Sequence, residues 1–94
     1  MSDYPALEYL LSAYFHQDWQ AEHDAPDAVV AAFLEDEDEA QAAGVRADLA
    51  KLAARGLEED ALGRELRALG CEYDPTADGG SWRGWLAALR AGFG

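Results

Sequence analysis

Five large apolar residues near the C-terminus, Trp82, Trp85, Leu86, Leu89 and Phe93, fall at i, i+3, i+4, i+7 and i+11. Residues so spaced share one stripe of an α-helix, whereas on a strand they would be divided between two faces. A stripe this apolar must be buried against something, so it commits the chain to a packed helical core. Ser81 stands where an N-cap is wanted, directly before the stripe.

The same period recurs upstream. Leu7, Leu10, Leu11, Tyr14 and Phe15 form a first stripe between Tyr4 and Phe15, with Asp3 as its expected cap and Pro5 in its first turn. A second helix is expected to begin near Asp24, with Pro26 in its first turn, and to bury Val29 or Val30, Phe33 and Leu34. A third carries Ala42, Val45, Leu49 and Leu52 inward and stops at Gly56. A fourth, from about Glu58 to Leu69, buries Leu62, Leu66 and Leu69 and ends at Gly70, with Glu58, Glu59 and Asp60 placed favourably at its N-terminus. Gly63 within that helix is a puzzle, since glycine costs about 1 kcal/mol relative to alanine there. Asp74-Pro75 and Asp78-Gly79-Gly80 are turn chemistry. No stretch alternates with period two. The expected fold is therefore all-α: a compact single-domain bundle of four to five short helices spanning residues 1–94.

Composition supports a packed chain, with 50% hydrophobic residues, three Trp, four Tyr and three Phe. Disordered chains lack that apolar content. The single cysteine, Cys71, excludes an intramolecular disulfide. No apolar run approaches the roughly 18–20 residues that cross a bilayer. The start Met1-Ser2-Asp3 lacks the pattern of a signal peptide, so the cytoplasm is the expected location.

Charge narrows the partners. The formal net charge is −12, and residues 1–45 hold eleven acids and no Lys or Arg. Nucleic acid and anionic membranes bind cationic groups, so neither is an expected partner. A basic protein is, with an association rate raised by the field and sensitive to salt. Acidity also keeps proteins soluble, and that reading stays open. The charge peaks at Glu35-Asp36-Glu37-Asp38-Glu39. A helix break is expected inside this run, with Asp38 and Gln41 as a capping-box variant opening the third helix. The leading acids would sit at a helix C-terminus and oppose its dipole, by about 0.3–1 kcal/mol each when exposed. Such local concentration exceeds what solubility requires and favours a docking surface for a basic partner, with a solvated interhelical corner as the open alternative.

Other constellations carry no chemistry. His16, Asp18, His23 and Asp24 lack the spacing of a metal site; His16 and Asp18 are expected to bond the loop after the first helix, with Trp19 packed on the core. Asp74, Thr76, Asp78 and Gly79 match the start of a calcium loop, but Trp85 stands where the bidentate glutamate belongs. Cys71 follows a helix C-terminus, whose dipole raises a thiol pKa. No catalytic, cofactor-binding or metal-binding residues are assigned, and no cofactor is expected.

Several stretches together resemble one family. Tyr4-Pro5-Ala6-Leu7 leads into Tyr14-Phe15-His16-Gln17-Asp18-Trp19, and Leu66 to Gly79 is followed by Ser81-Trp82-Arg83-Gly84-Trp85-Leu86. These blocks, with the segment Pro26 to Leu34, are similar to the immunity proteins of contact-dependent growth inhibition systems. The family often has proline where this chain has Asp38-Glu39, and a Ser or Thr cap where it has Glu58. The resemblance implies a bacterial cytoplasmic protein that binds and blocks the C-terminal toxin domain of a cognate effector, often a nuclease with a basic cleft. Glu35, Asp36, Glu37, Asp38 and Glu39, with Asp18 and Trp19, are the expected toxin-binding residues. An acidic adaptor domain with a non-toxin basic partner is the alternative; a small hydrolase using clustered carboxylates and His16 or His23 is a third.

Overall fold

In the computed structural model, residues 3–15 and 25–93 are described. Five α-helices follow one another: α1 (Pro5–Tyr14), α2 (Pro26–Asp36), α3 (Glu39–Ala54), α4 (Glu59–Ala68) and α5 (Trp82–Phe93), with a 3₁₀ turn at Pro75–Asp78 before the last. Among the described residues there is no strand. The radius of gyration, 12.2 Å, is that of a compactly folded chain of this length.

α1 lies principally on α3, and α3 on α5, while α5 also touches α2 and α4. This central position explains the breadth of the α5 stripe: Trp82, Trp85, Leu86, Leu89 and Phe93 are all buried. Facing them are Leu7, Leu10 and Leu11 of α1, Val29, Val30 and Phe33 of α2, the four inward residues of α3 named above, and Leu62 and Leu66 of α4. Aromatic edges fill the seams. Phe15 meets Trp85 edge-on at 5.3 Å, and Phe33 meets Phe93 at 5.5 Å. Tyr73 packs on the same core, its ring 5.4 Å from that of Trp85.

The helix ends follow local chemistry in most places. Asp38 is the N-cap of α3 and accepts the Gln41 N–H at 2.9 Å, so the break falls inside the acidic run as expected. Ser81 caps α5 through the Gly84 N–H at 2.9 Å. Gly56 and Gly70 follow α3 and α4 with φ of +62° and +100°, the left-handed geometry that ends a helix.

Two local expectations fail, both because tertiary packing decides the outcome. Asp3 does not cap α1; the N-cap is Tyr4, with no side-chain hydrogen bond. The buried Asp48 of α3 does the work instead, its Oδ2 accepting the Ala6 N–H at 2.9 Å and the Leu7 N–H at 3.0 Å. Leu34 is not buried but 42% exposed, because Val30 and Phe33 already fill the seam of α2. α2 begins with Pro26 in its first turn, as expected, after Ala25 as N-cap. A second cap in trans closes α5, where the Glu59 carboxylate accepts the Trp82 and Arg83 N–H groups.

Gly63 finds its reason here. A Cβ at this position would stand 2.6 Å from Nε1 of Trp82, so only glycine lets α4 close on α5. Gly44 plays the same part between α3 and α1, where a Cβ would come within 3.0 Å of the Ala6 Cβ. It lies one turn before Asp48, and the close approach brings the α1 N-terminus within reach of that carboxylate.

Candidate functional site

The five consecutive acids form the corner between α2 and α3, and the fold gives them different tasks. Glu35 and Asp36 are exposed on the last turn of α2 and make no hydrogen bond or ion pair among the described residues. Glu37 is half-buried and structural: its Oε2 accepts the Tyr9 hydroxyl at 2.9 Å and the Tyr14 hydroxyl at 2.8 Å. Asp38 is occupied as the α3 cap. Glu39 pairs with Arg46 at 3.1 Å on the open surface, a contact of small energetic weight. Arg46 also donates from Nε to the Phe93 carbonyl, and so ties α3 to the end of α5.

Of the seven residues expected to meet a partner, the structure thus leaves Glu35 and Asp36 as uncommitted charge. Asp18 and Trp19 lie outside the described residues, as do the expectations for His16, His23 and Asp24. Two large side chains are exposed beside the acids: Tyr9 at 39%, which the sequence did not single out, and Leu34 at 42%, which it placed in the core. The signal for Leu34 was its place directly before the run; nothing local marked Tyr9.

The pairing of Glu37 with two phenols has a pH signature. The hydrogen bond to Glu37 raises the Tyr9 pKa first of all, whereas burial leads for Tyr14, with the same carboxylate second. A tyrosine with a raised folded-state pKa contributes stability below its ordinary value near 10, and loses it as pH climbs through the folded value. Glu37→Ala should therefore shift tyrosine ionisation to lower pH and flatten the alkaline loss of stability. Ultraviolet titration read against the parent protein checks this; superimposable titrations would refute it.

Other candidates stay chemically quiet. Burial pushes the Cys71 thiol up to about 12, the direction that the sequence suggested. Asp74 caps the 3₁₀ turn, accepting the Thr76 N–H at 3.0 Å, and its hydrogen bonds with Thr76 hold its carboxyl below the usual range. Among the described residues, no three His, Cys, Asp or Glu side chains gather as a metal site.

A family profile described as CdiI immunity protein matches residues 3–93. The chain belongs to the CdiI immunity protein family. Among solved structures, it is similar to a chain in the crystal structure of a CdiA-CT/CdiI complex from Y. kristensenii 33638. The two share 29% identity with a TM-score of 0.89, over 99% of this chain and 100% of that one. No curated protein matches. The helical framework is thus shared with the chain of that complex. No helix among the described residues is long and apolar enough to cross a membrane.

Proposed function

We propose that this CdiI family member binds the C-terminal toxin domain of its cognate CdiA effector in the cytoplasm and neutralises it by occupancy, without catalysis of its own. The observation that carries this reading is the near-complete structural match to a chain from a CdiA-CT/CdiI complex. Charge supplies the mode of docking. A basic toxin surface, such as the substrate cleft of a nuclease, meets the acidic N-terminal half, where Glu35 and Asp36 are free to engage cations. Glu37, Asp38 and Glu39 contribute field more than contact, since their carboxylates are already engaged.

The test is co-purification with the C-terminal domain encoded by the adjacent effector gene, followed by rescue of growth when that domain is expressed. Failure of both would end the proposal. The charge mode has its own check. Glu35→Gln with Asp36→Asn should slow association roughly three- to tenfold at low ionic strength, with the difference shrinking as salt is added. The same variant should melt slightly higher, because two anions at the C-terminus of α2 oppose its dipole. Slower binding by a more stable protein cannot be ascribed to misfolding. Equal association rates at every salt concentration would remove Glu35 and Asp36 from the interface and leave the immunity role standing.

A further inference from the structure

α2 and α5 do not close completely against each other. Between them runs a groove of about 240 Å³, lined by Val30, Ala31 and Leu34 from α2 and by Ala88, Leu89 and Gly92 from α5. That exceeds the roughly 150 Å³ that holds a benzene ring, so a leucine or phenylalanine side chain fits. The lining is dominated by apolar side chains, of which Leu34 is 42% exposed. Small residues make the recess: Ala31 and Ala88 are exposed at its sides and too short to cover it.

The rim is anionic. Asp27 lines the groove at the start of α2, and Leu34 at the other end is followed immediately by Glu35 and Asp36. Along the helix, Asp27, Ala31 and Glu35 succeed one another at i, i+4 and i+8 with Leu34 alongside, so charge and apolar floor share one face. Asp27 and Leu34 are seven residues apart, which places the two acidic ends about 10 Å from each other. None of these acids makes a hydrogen bond or ion pair among the described residues.

We infer that this groove is the anchor point of the toxin domain: an apolar side chain of the toxin, flanked on both sides by Lys or Arg, enters between α2 and α5. The inference rests on the proposed function and adds to it the place and chemistry of the contact. Charge complementarity chooses the occupant. An apolar segment alone would fill the floor, but only one with cationic flanks answers Asp27 at one end and Glu35 with Asp36 at the other. Acids at the rim govern the rate of encounter, and the desolvated apolar anchor governs residence time.

The two contributions are therefore separable. Leu34→Ala removes the exposed wall of the groove, and Ala88→Phe fills the groove from the opposite side. Both positions are exposed, so helical circular dichroism and melting temperature should stay at parent values. With the cognate C-terminal domain immobilised, each variant should dissociate about ten times faster or more, with an association rate and salt dependence close to the parent's. The Glu35→Gln, Asp36→Asn protein should show the reverse pattern. Parent-like dissociation by both groove variants, while the unaltered protein binds, overturns the groove and spares the proposed function. No binding by the unaltered protein overturns the function itself. A concentration-dependent dimer of the unaltered protein that Leu34→Ala abolishes would make a second copy the occupant, and would also overturn the inference.

Discussion

Asp48→Ala should lower the unfolding free energy by about 2–4 kcal/mol, the largest loss expected from any single polar substitution in this protein. The residue interrupts an otherwise apolar helix face between Val45 and Leu49, and its backbone neighbours give no hint of a role. In the fold its Oδ2 takes two N–H groups from the first turn of α1, forty-one and forty-two residues away. Alanine would leave both donors without a partner where water is largely excluded, Asp48 being 9% exposed. It would also remove an anion from the positive end of the α1 dipole. For a domain near this size, each kcal/mol shifts the melting temperature by about 4–8 °C, so a fall of roughly 10–25 °C is expected. Asp48→Asn separates geometry from charge, because its amide oxygen can still accept both bonds, and it should cost less than half as much. Thermal unfolding followed by circular dichroism decides. A melting temperature within a degree or two of the parent's for Asp48→Ala would show that α1 does not depend on this cap.

Gly63→Ala should be destabilising by about 1–3 kcal/mol, although helix propensity alone favours alanine by about 1 kcal/mol. Propensity and packing thus predict opposite signs, which makes the experiment decisive. The added methyl would stand 2.6 Å from Nε1 and 2.9 Å from Cδ1 of Trp82. Trp82 cannot retreat easily. It is 4% exposed, lies edge-on to Trp85 at 6.1 Å, and has the Arg67 guanidinium 5.2 Å from its ring centre. The clash disappears if the indole is shortened, so in a Trp82→Leu background the same Gly63→Ala change should become neutral or stabilising. That reversal is a coupling energy, read from a double-mutant cycle in urea. A stabilising Gly63→Ala in the parent would mean that α4 and α5 have slack between them.

The acidic run shows how a loud sequence signal can be divided by the fold. Five adjacent carboxylates look equivalent as sequence, and their density suggested one docking surface. Their surroundings differ because a helix must end and another begin within the run. Asp38 is held as a cap and Glu37 by two phenols, so charge that seems free along the chain is committed to structure. Glu35 and Asp36 remain, next to an exposed Leu34 that periodicity had placed inside. The error over Leu34 is instructive. A helical stripe gives the direction of burial but not the width of the seam, which depends on what the neighbouring helix supplies.

The helices, most of their ends and nearly all of the core are legible in the residue pattern. Those properties are set over three or four residues, by the 3.6-residue period and by capping groups that lie beside the N–H groups they serve. The stripe from Trp82 to Phe93 is buried in full for that reason. Which helices touch is set by the packed fold, and with it every role that joins distant residues. Asp48 caps α1, Glu59 caps α5, Glu37 gathers Tyr9 and Tyr14, and Gly63 makes room for Trp82. The groove between α2 and α5 belongs to the same class, since it exists only where two helices lie side by side with small residues between them. No local rule encodes such contacts, because their partners lie about twenty to sixty-five residues apart and are chosen by the packing of the whole core.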